Sequence, residues 1–148
     1  MQIQTLKRLI MLSVLGVLAT VSAHAQYVKP FRVTIPFNFY VGGKALTAGE
    51  YTVGRGSETT AEAIVLRAID GGAGAFILTR GIQADEVQLE SKLVFRRYGD
   101  RYFLGEVWTF QRNSGRELPI SRKERLIKQE IAKRGADTQK VSVLGDKR

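Results

Sequence analysis

Phe31-Arg32-Val33-Thr34-Ile35-Pro36-Phe37-Asn38-Phe39-Tyr40-Val41 alternates without a break: the odd positions are apolar, and Arg32, Thr34, Pro36, Asn38 and Tyr40 fill the even ones. Side chains of a strand point to opposite faces in turn, so this pattern places all six apolar residues on one face. Pro36 has no N–H to give to a ladder, which predicts an edge strand or a bulge at that point. Gly42-Gly43 turns the chain, and Ala48-Gly49 turns it again into a strand at Tyr51-Thr52-Val53.

Downstream, Ala63 to Ile69 and Ala75 to Thr79 read as strands, separated by Asp70-Gly71-Gly72. Two longer strands follow, Gln88–Tyr98 and Tyr102–Phe110, joined at Gly99-Asp100, a pair suited to a tight hairpin turn. A two-residue loop sets Tyr98 against Arg101, Phe95 against Leu104, Leu93 against Glu106 and Ser91 against Trp108. That register gathers Leu89, Leu93, Phe95, Tyr102, Leu104, Trp108 and Phe110 on a core face, with Glu106 among them. A carboxyl there must be paired, hydrogen-bonded or neutral. Glu106, Trp108 and Tyr102 are therefore candidate ligand contacts. Arg96, Arg97, Tyr98 and Arg101 at the hairpin tip form a second candidate set, because arginines among aromatics grip anions or stack on rings.

From Gln111 to Glu117 the chain reads as a loop. Ser121-Arg122-Lys123-Glu124 has capping-box spacing, in which Ser121 caps the N–H of Glu124 and Glu124 reaches back. A helix over Arg122–Arg134 is predicted, stopped by Gly135. Its apolar stripe is thin: Leu126, Ile127 and Ile131. Its charge suits an anionic surface, but the stripe is too small for deep membrane burial, so the expectation is docking on the β-body with the charged face outward. The expected organisation is a signal peptide at 1–25, an antiparallel β-domain at 26–118, a basic helix at 119–135 and a flexible tail at 136–148, in which Val141–Leu144 could add an edge strand. The predicted fold class is all-β: a small β-sandwich or partly closed barrel of about six strands with one C-terminal helix.

Lys7-Arg8, the apolar run Leu9–Val21 and the small-x-small triplet Ala23-His24-Ala25 have the three parts of a secretory signal. The run is too short to span a bilayer, so cleavage after Ala25 and a periplasmic or extracellular address are expected, with no transmembrane segment in the mature chain. His24 is the only histidine, Met1 and Met11 are the only methionines, and there is no cysteine. The mature chain would then lack the usual neutral-pH base, the commonest metal ligand and every thiol. Serine–histidine triads, histidine zinc sites and disulfides are excluded. Neither Gly42-Gly43-Lys44 nor Gly71-Gly72-Ala73-Gly74 has phosphate-loop spacing, and both read as turns. Paired-carboxylate hydrolysis, the weakest of the readings, needs two acids ~5–10 Å apart across a cleft, which no spacing here displays. No catalytic residue, cofactor or metal is expected.

The net charge of +9 is unevenly spread. Residues 26–118 carry 12 basic and 10 acidic side chains, and residues 119–148 carry 9 and 4. A nearly neutral β-body argues against a nucleic-acid partner, as does export.

Phe31-x-Val33-x-Ile35-Pro36-Phe37-x-Phe39-x-Val41-Gly42-x-Lys44-x-Leu46-x-Ala48-Gly49-x-Tyr51 resembles a family of small secreted bacterial β-rich proteins. So do Leu93-x-Phe95-x-Arg97-Tyr98-Gly99-Asp100-x-Tyr102-Phe103-Leu104 and Glu117-Leu118-Pro119-x-Ser121-x-x-Glu124. Thr47 departs from the family's Pro before Ala-Gly. The resemblance implies one exported domain and carries no activity, ligand or functional residue. Two functions follow as expectations. The first is a non-enzymatic domain that binds or scaffolds an envelope component. The second is a carrier of a small apolar or anionic ligand in the mouth of the sandwich, through Trp108, Tyr102 and Glu106.

Overall fold

Pro36 breaks the alternating stretch in two. In the structure, a computed structural model that describes residues 29–56, 60 and 62–146, β1 (Phe31–Ile35) and β2 (Phe39–Val41) belong to different sheets. Phe31, Val33 and Ile35 enter the core from one side, and Phe39 and Val41 from the other. The alternation therefore predicts the buried residues correctly, while the chain turns a corner at the proline and crosses the core.

β3 (Lys44–Leu46) pairs back on β2. β4 (Gly49–Arg55), β5 (Ala63–Ala68) and β6 (Ala75–Leu78) join β1 in an antiparallel sheet of order β1-β4-β5-β6. After Thr79 the chain crosses again into β7 (Arg80–Gln83). The second sheet runs β11-β8-β9-β10-β7, with β8 at Lys92–Tyr98, β9 at Arg101–Trp108, β10 at Ser114–Glu117 and β11 at Gln139–Leu144. β2 lies parallel to the start of β9. The sheets face each other as a β-sandwich and do not close into a barrel. The expected six strands become eleven among the described residues, partly because long runs break where the chain changes sheets.

The core between the sheets is filled. Val33, Val53, Ile64, Leu66, Leu93 and Phe95 are fully buried. Phe39 meets Tyr51 and Phe95 edge-on, and Phe37 stacks on Tyr102 with ring centres 3.9 Å apart. Such pairs add to the burial of large aromatic area.

Three sequence expectations are corrected. Residues 114–117, read as loop, form β10. The tail at 136–148, read as flexible with a possible edge strand at Val141–Leu144, supplies that strand in longer form as β11, whose Val141 and Val143 lie opposite Phe95 and Leu93. The third is the hairpin register. It runs as expected from Tyr98–Arg101 to Phe95–Leu104, and Gly99 takes a φ of +63°. A bulge then inserts Gly105, so Val94 opposes Glu106, Leu93 opposes Val107 and Lys92 opposes Trp108. Beyond the bulge each side chain of β9 changes face. Val107 enters the core, and Glu106 and Trp108 turn to the far side of the sheet. Leu89 precedes β8 and is 83% exposed, and Phe110 is also exposed, so neither belongs to the core.

On that far side lies the single described helix, α1 (Arg122–Lys133). Ile127 packs with Tyr98 and Phe103, flanked by Tyr40 and Ile131. Ser121 caps the helix by accepting from the Glu124 N–H at 3.1 Å. Gly135 ends it with a φ of +72°, a left-handed position that glycine adopts without strain. No helix among the described residues is long and apolar enough to cross a membrane.

Candidate functional site

The candidate residues do not converge on one site. Arg96 and Tyr98 point from β8 toward the helix, where both bind Glu124, which is 2% exposed. The Arg96 guanidinium donates through Nε to Oε1 at 2.5 Å and through Nη2 to Oε2 at 3.1 Å. The Tyr98 hydroxyl donates to Oε1 at 3.1 Å. Burial, then the neighbouring Glu124 carboxylate, pushes the Tyr98 phenol up to about 12. The capping box is thus only half made. Ser121 caps Glu124, but the Glu124 carboxylate turns inward to the guanidinium, a stronger charge-assisted partner than the backbone N–H of Ser121. Gly105 makes this possible. A side chain there would meet the Arg96 Nη1 at 2.8 Å, so the glycine of the bulge leaves the space that the arginine occupies.

Glu106 is half-buried beside this clamp. It accepts from the Trp108 indole N–H at 2.8 Å and from Lys140 Nζ on β11 at 2.7 Å. Burial alone would push its carboxyl up. The hydrogen bonds from Lys140 and Trp108, with the charges of Lys140 and Arg96, outweigh it and hold the carboxyl below its ordinary value. Glu106 is therefore an ionised, paired group that ties β9 to β11 across Val94. The Trp108 ring lies against Gly115 of β10, where a Cβ would meet its Cε3 at 2.6 Å. Tyr102 is not with them: it sits on the core-facing side, stacked on Phe37, with the Arg97 guanidinium 5.5 Å above its ring. Arg97 also donates to the Gly99 carbonyl at 2.7 Å. Arg101 is exposed at the hairpin tip.

A groove lies elsewhere, at the end of the sandwich beyond the start of β8. Phe31, Leu89, Ser91, Phe110 and Asp146 are among the residues that frame this groove of about 500 Å³. Sequence reasoning placed Leu89 and Phe110 in the core. The signal that could have separated them was Ser91 and Lys92, polar residues flanking the true start of the strand. Arg116 was also missed. It enters the sandwich from β10 opposite Val107 and is 5% exposed, with burial drawing its pKa down while Glu62 opposes this. One arginine in Ser-Gly-Arg-Glu gives no sequence signal of burial.

In the clamp and in the Glu106 pair each carboxylate already accepts from a cation and a further donor, which weakens it as a base or nucleophile. The groove differs in presenting apolar surface to solvent. No protein-family model, curated protein or solved structure matches the chain.

Proposed function

We propose that this chain is an exported, non-enzymatic β-sandwich that binds a component of the cell envelope through the groove at the end of the sandwich. The observation that carries this reading is the pairing of a filled core with exposed Leu89 and Phe110 around one groove. Exposed large apolar side chains that converge on a concavity are the usual mark of a contact surface. Export rests on the leader pattern, which falls outside the described residues, and on the resemblance to small secreted proteins. The groove also has the volume of a small-ligand site, so a carrier is the second reading. Its contacts would then be Phe31, Leu89 and Phe110 in place of Trp108, Tyr102 and Glu106.

Native mass spectrometry of the protein isolated from the envelope of its own cells tests both. A co-purifying protein that is lost in Leu89→Asp supports the binding domain, and a co-purifying small molecule lost in the same variant supports the carrier. Sequencing of the isolated chain should begin at Gln26. A chain that begins at Met1 removes the export reading.

A further inference from the structure

Helix α1 turns two unlike faces outward and inward. Ile127 and Glu124 are buried against the second sheet, and Ile131 is half-buried. At 100° per residue the opposite face is centred between Gln129 and Arg122 and carries Arg125 and Lys133, with Leu126 on its flank and Lys128 off to the side of the helix. All of these are exposed, and Leu126 is 59% exposed. The helix's other charged groups are occupied: Glu124 by Arg96, Glu130 by Arg134, and Lys123 over the Tyr40 ring at 4.2 Å. Among the described residues none of Arg122, Arg125, Lys128 and Lys133 is held in an ion pair. The outer face therefore presents three uncompensated cations and one exposed leucine on a helix that the Arg96–Glu124 clamp fastens to the sheet.

We propose that this face docks the domain on an anionic phospholipid surface. Three features select lipid over other anions. The cations lie along a straight rod of twelve residues, about 18 Å long, which suits a flat sheet of headgroups. Leu126 beside them offers a short apolar side chain to the headgroup boundary, where interfacial helices place such residues. The helix has no aromatic residue, so it lacks the stacking platform that single-stranded nucleic-acid binders use. The apolar contribution is one leucine, so attraction is mainly electrostatic and reversible. The groove lies beyond the opposite end of β8 from the Tyr98 that α1 covers, so a domain docked through α1 keeps its groove open.

The test is co-sedimentation of the full mature chain with phosphatidylglycerol–phosphatidylcholine vesicles, compared with pure phosphatidylcholine. Binding is expected only to the anionic vesicles, and it should be released by salt at about 1 M, where the screening length falls to roughly 3 Å. Arg122→Gln/Arg125→Gln/Lys133→Gln should weaken it by about two orders of magnitude, at roughly fivefold per basic side chain near an anionic surface. Those side chains face solvent, and an unchanged far-ultraviolet dichroism spectrum checks that the variant is folded. Leu126→Ala should weaken binding a few-fold, and Leu89→Asp should leave it unchanged. Equal binding to both vesicle types overturns the proposal, as does full retention by the triple variant. Duplex DNA bound as tightly as the anionic vesicles in the same salt overturns the choice of lipid.

Discussion

The sheet built on β8 and β9 packs against something on each side, and the two sides differ in kind. Toward the first sheet, Leu93, Phe95, Leu104 and Val107 share a core with Val33, Val53, Ile64 and Leu66. Toward the helix, the same two strands present Arg96, Tyr98, Phe103 and Glu106, and Glu124 descends from α1 to meet them. The first side is held by area removed from water, which is non-directional and tolerant of repacking. The second is held by a small apolar cluster and a buried ion pair, which works in one geometry only. A helix with an apolar stripe this thin would slide on a smooth sheet. The bidentate Arg96–Glu124 contact gives it a fixed position.

The largest way to break this contrast is on the apolar side. Phe95→Ala removes a fully buried ring that packs against Phe37 and Phe39, and should cost about 4 kcal/mol in urea-denaturation midpoints and slopes. On the helix side, Glu124→Ala leaves the Arg96 guanidinium buried without its carboxylate and should cost about 3 kcal/mol. The double variant Arg96→Met/Glu124→Leu should recover most of that loss, because apolar side chains of similar volume replace a buried pair at little cost. A double variant no more stable than Glu124→Ala would mean that the two sides are not so different. A third measurement uses alkali. The raised phenol of Tyr98 stabilises the fold below pH 10, and this contribution is lost as the pH rises from 10 to about 12. Ultraviolet titration should show Tyr98 ionising near pH 12, and earlier in Glu124→Gln, which removes the carboxylate's share of the rise. The smallest effect belongs to the Glu106–Lys140 contact, whose lysine is largely exposed: Lys140→Met should cost about 0.5 kcal/mol. Because Glu106 is held below its ordinary pKa, its contribution is present above pH 4.5 and fades as the pH falls into the acid range. Glu106→Gln should flatten that part of the stability profile.

What could be read in advance follows the same division. Alternation at 31–41 identifies the buried side chains of β1 and β2, since period two is a property of the chain itself. It does not reveal the corner at Pro36, because both sheets face one core and the parity survives the crossing. The hairpin register was readable as far as Leu104. There the bulge at Gly105 reversed it, and a lone glycine in a strand does not announce whether it is a bulge. That one residue moves Glu106 and Trp108 from the expected core face to the helix side. Glu124 carried a clear cap signature, and Ser121 does cap it. Its partner Arg96 lies 28 residues earlier in the chain, a pairing that no local pattern encodes. Basic residues on α1 were legible as composition, but their division into occupied and free ones depends on what lies beneath the helix.

β11 also has a second edge to cover. Beyond its ladder with β8, Gly145 bridges to Val33 and donates to the Ser91 carbonyl at 2.8 Å, and Asp146 donates to the Arg32 carbonyl at 2.9 Å. One late segment therefore shields open ladders in both sheets at once. Until residues 139–146 arrive, β1 and β8 each present unpaired backbone groups, the template for pairing with another chain. Residues 139–146 thus guard two edges with one stretch of backbone, taking up groups of β8 and β1 that would otherwise be open to a second chain.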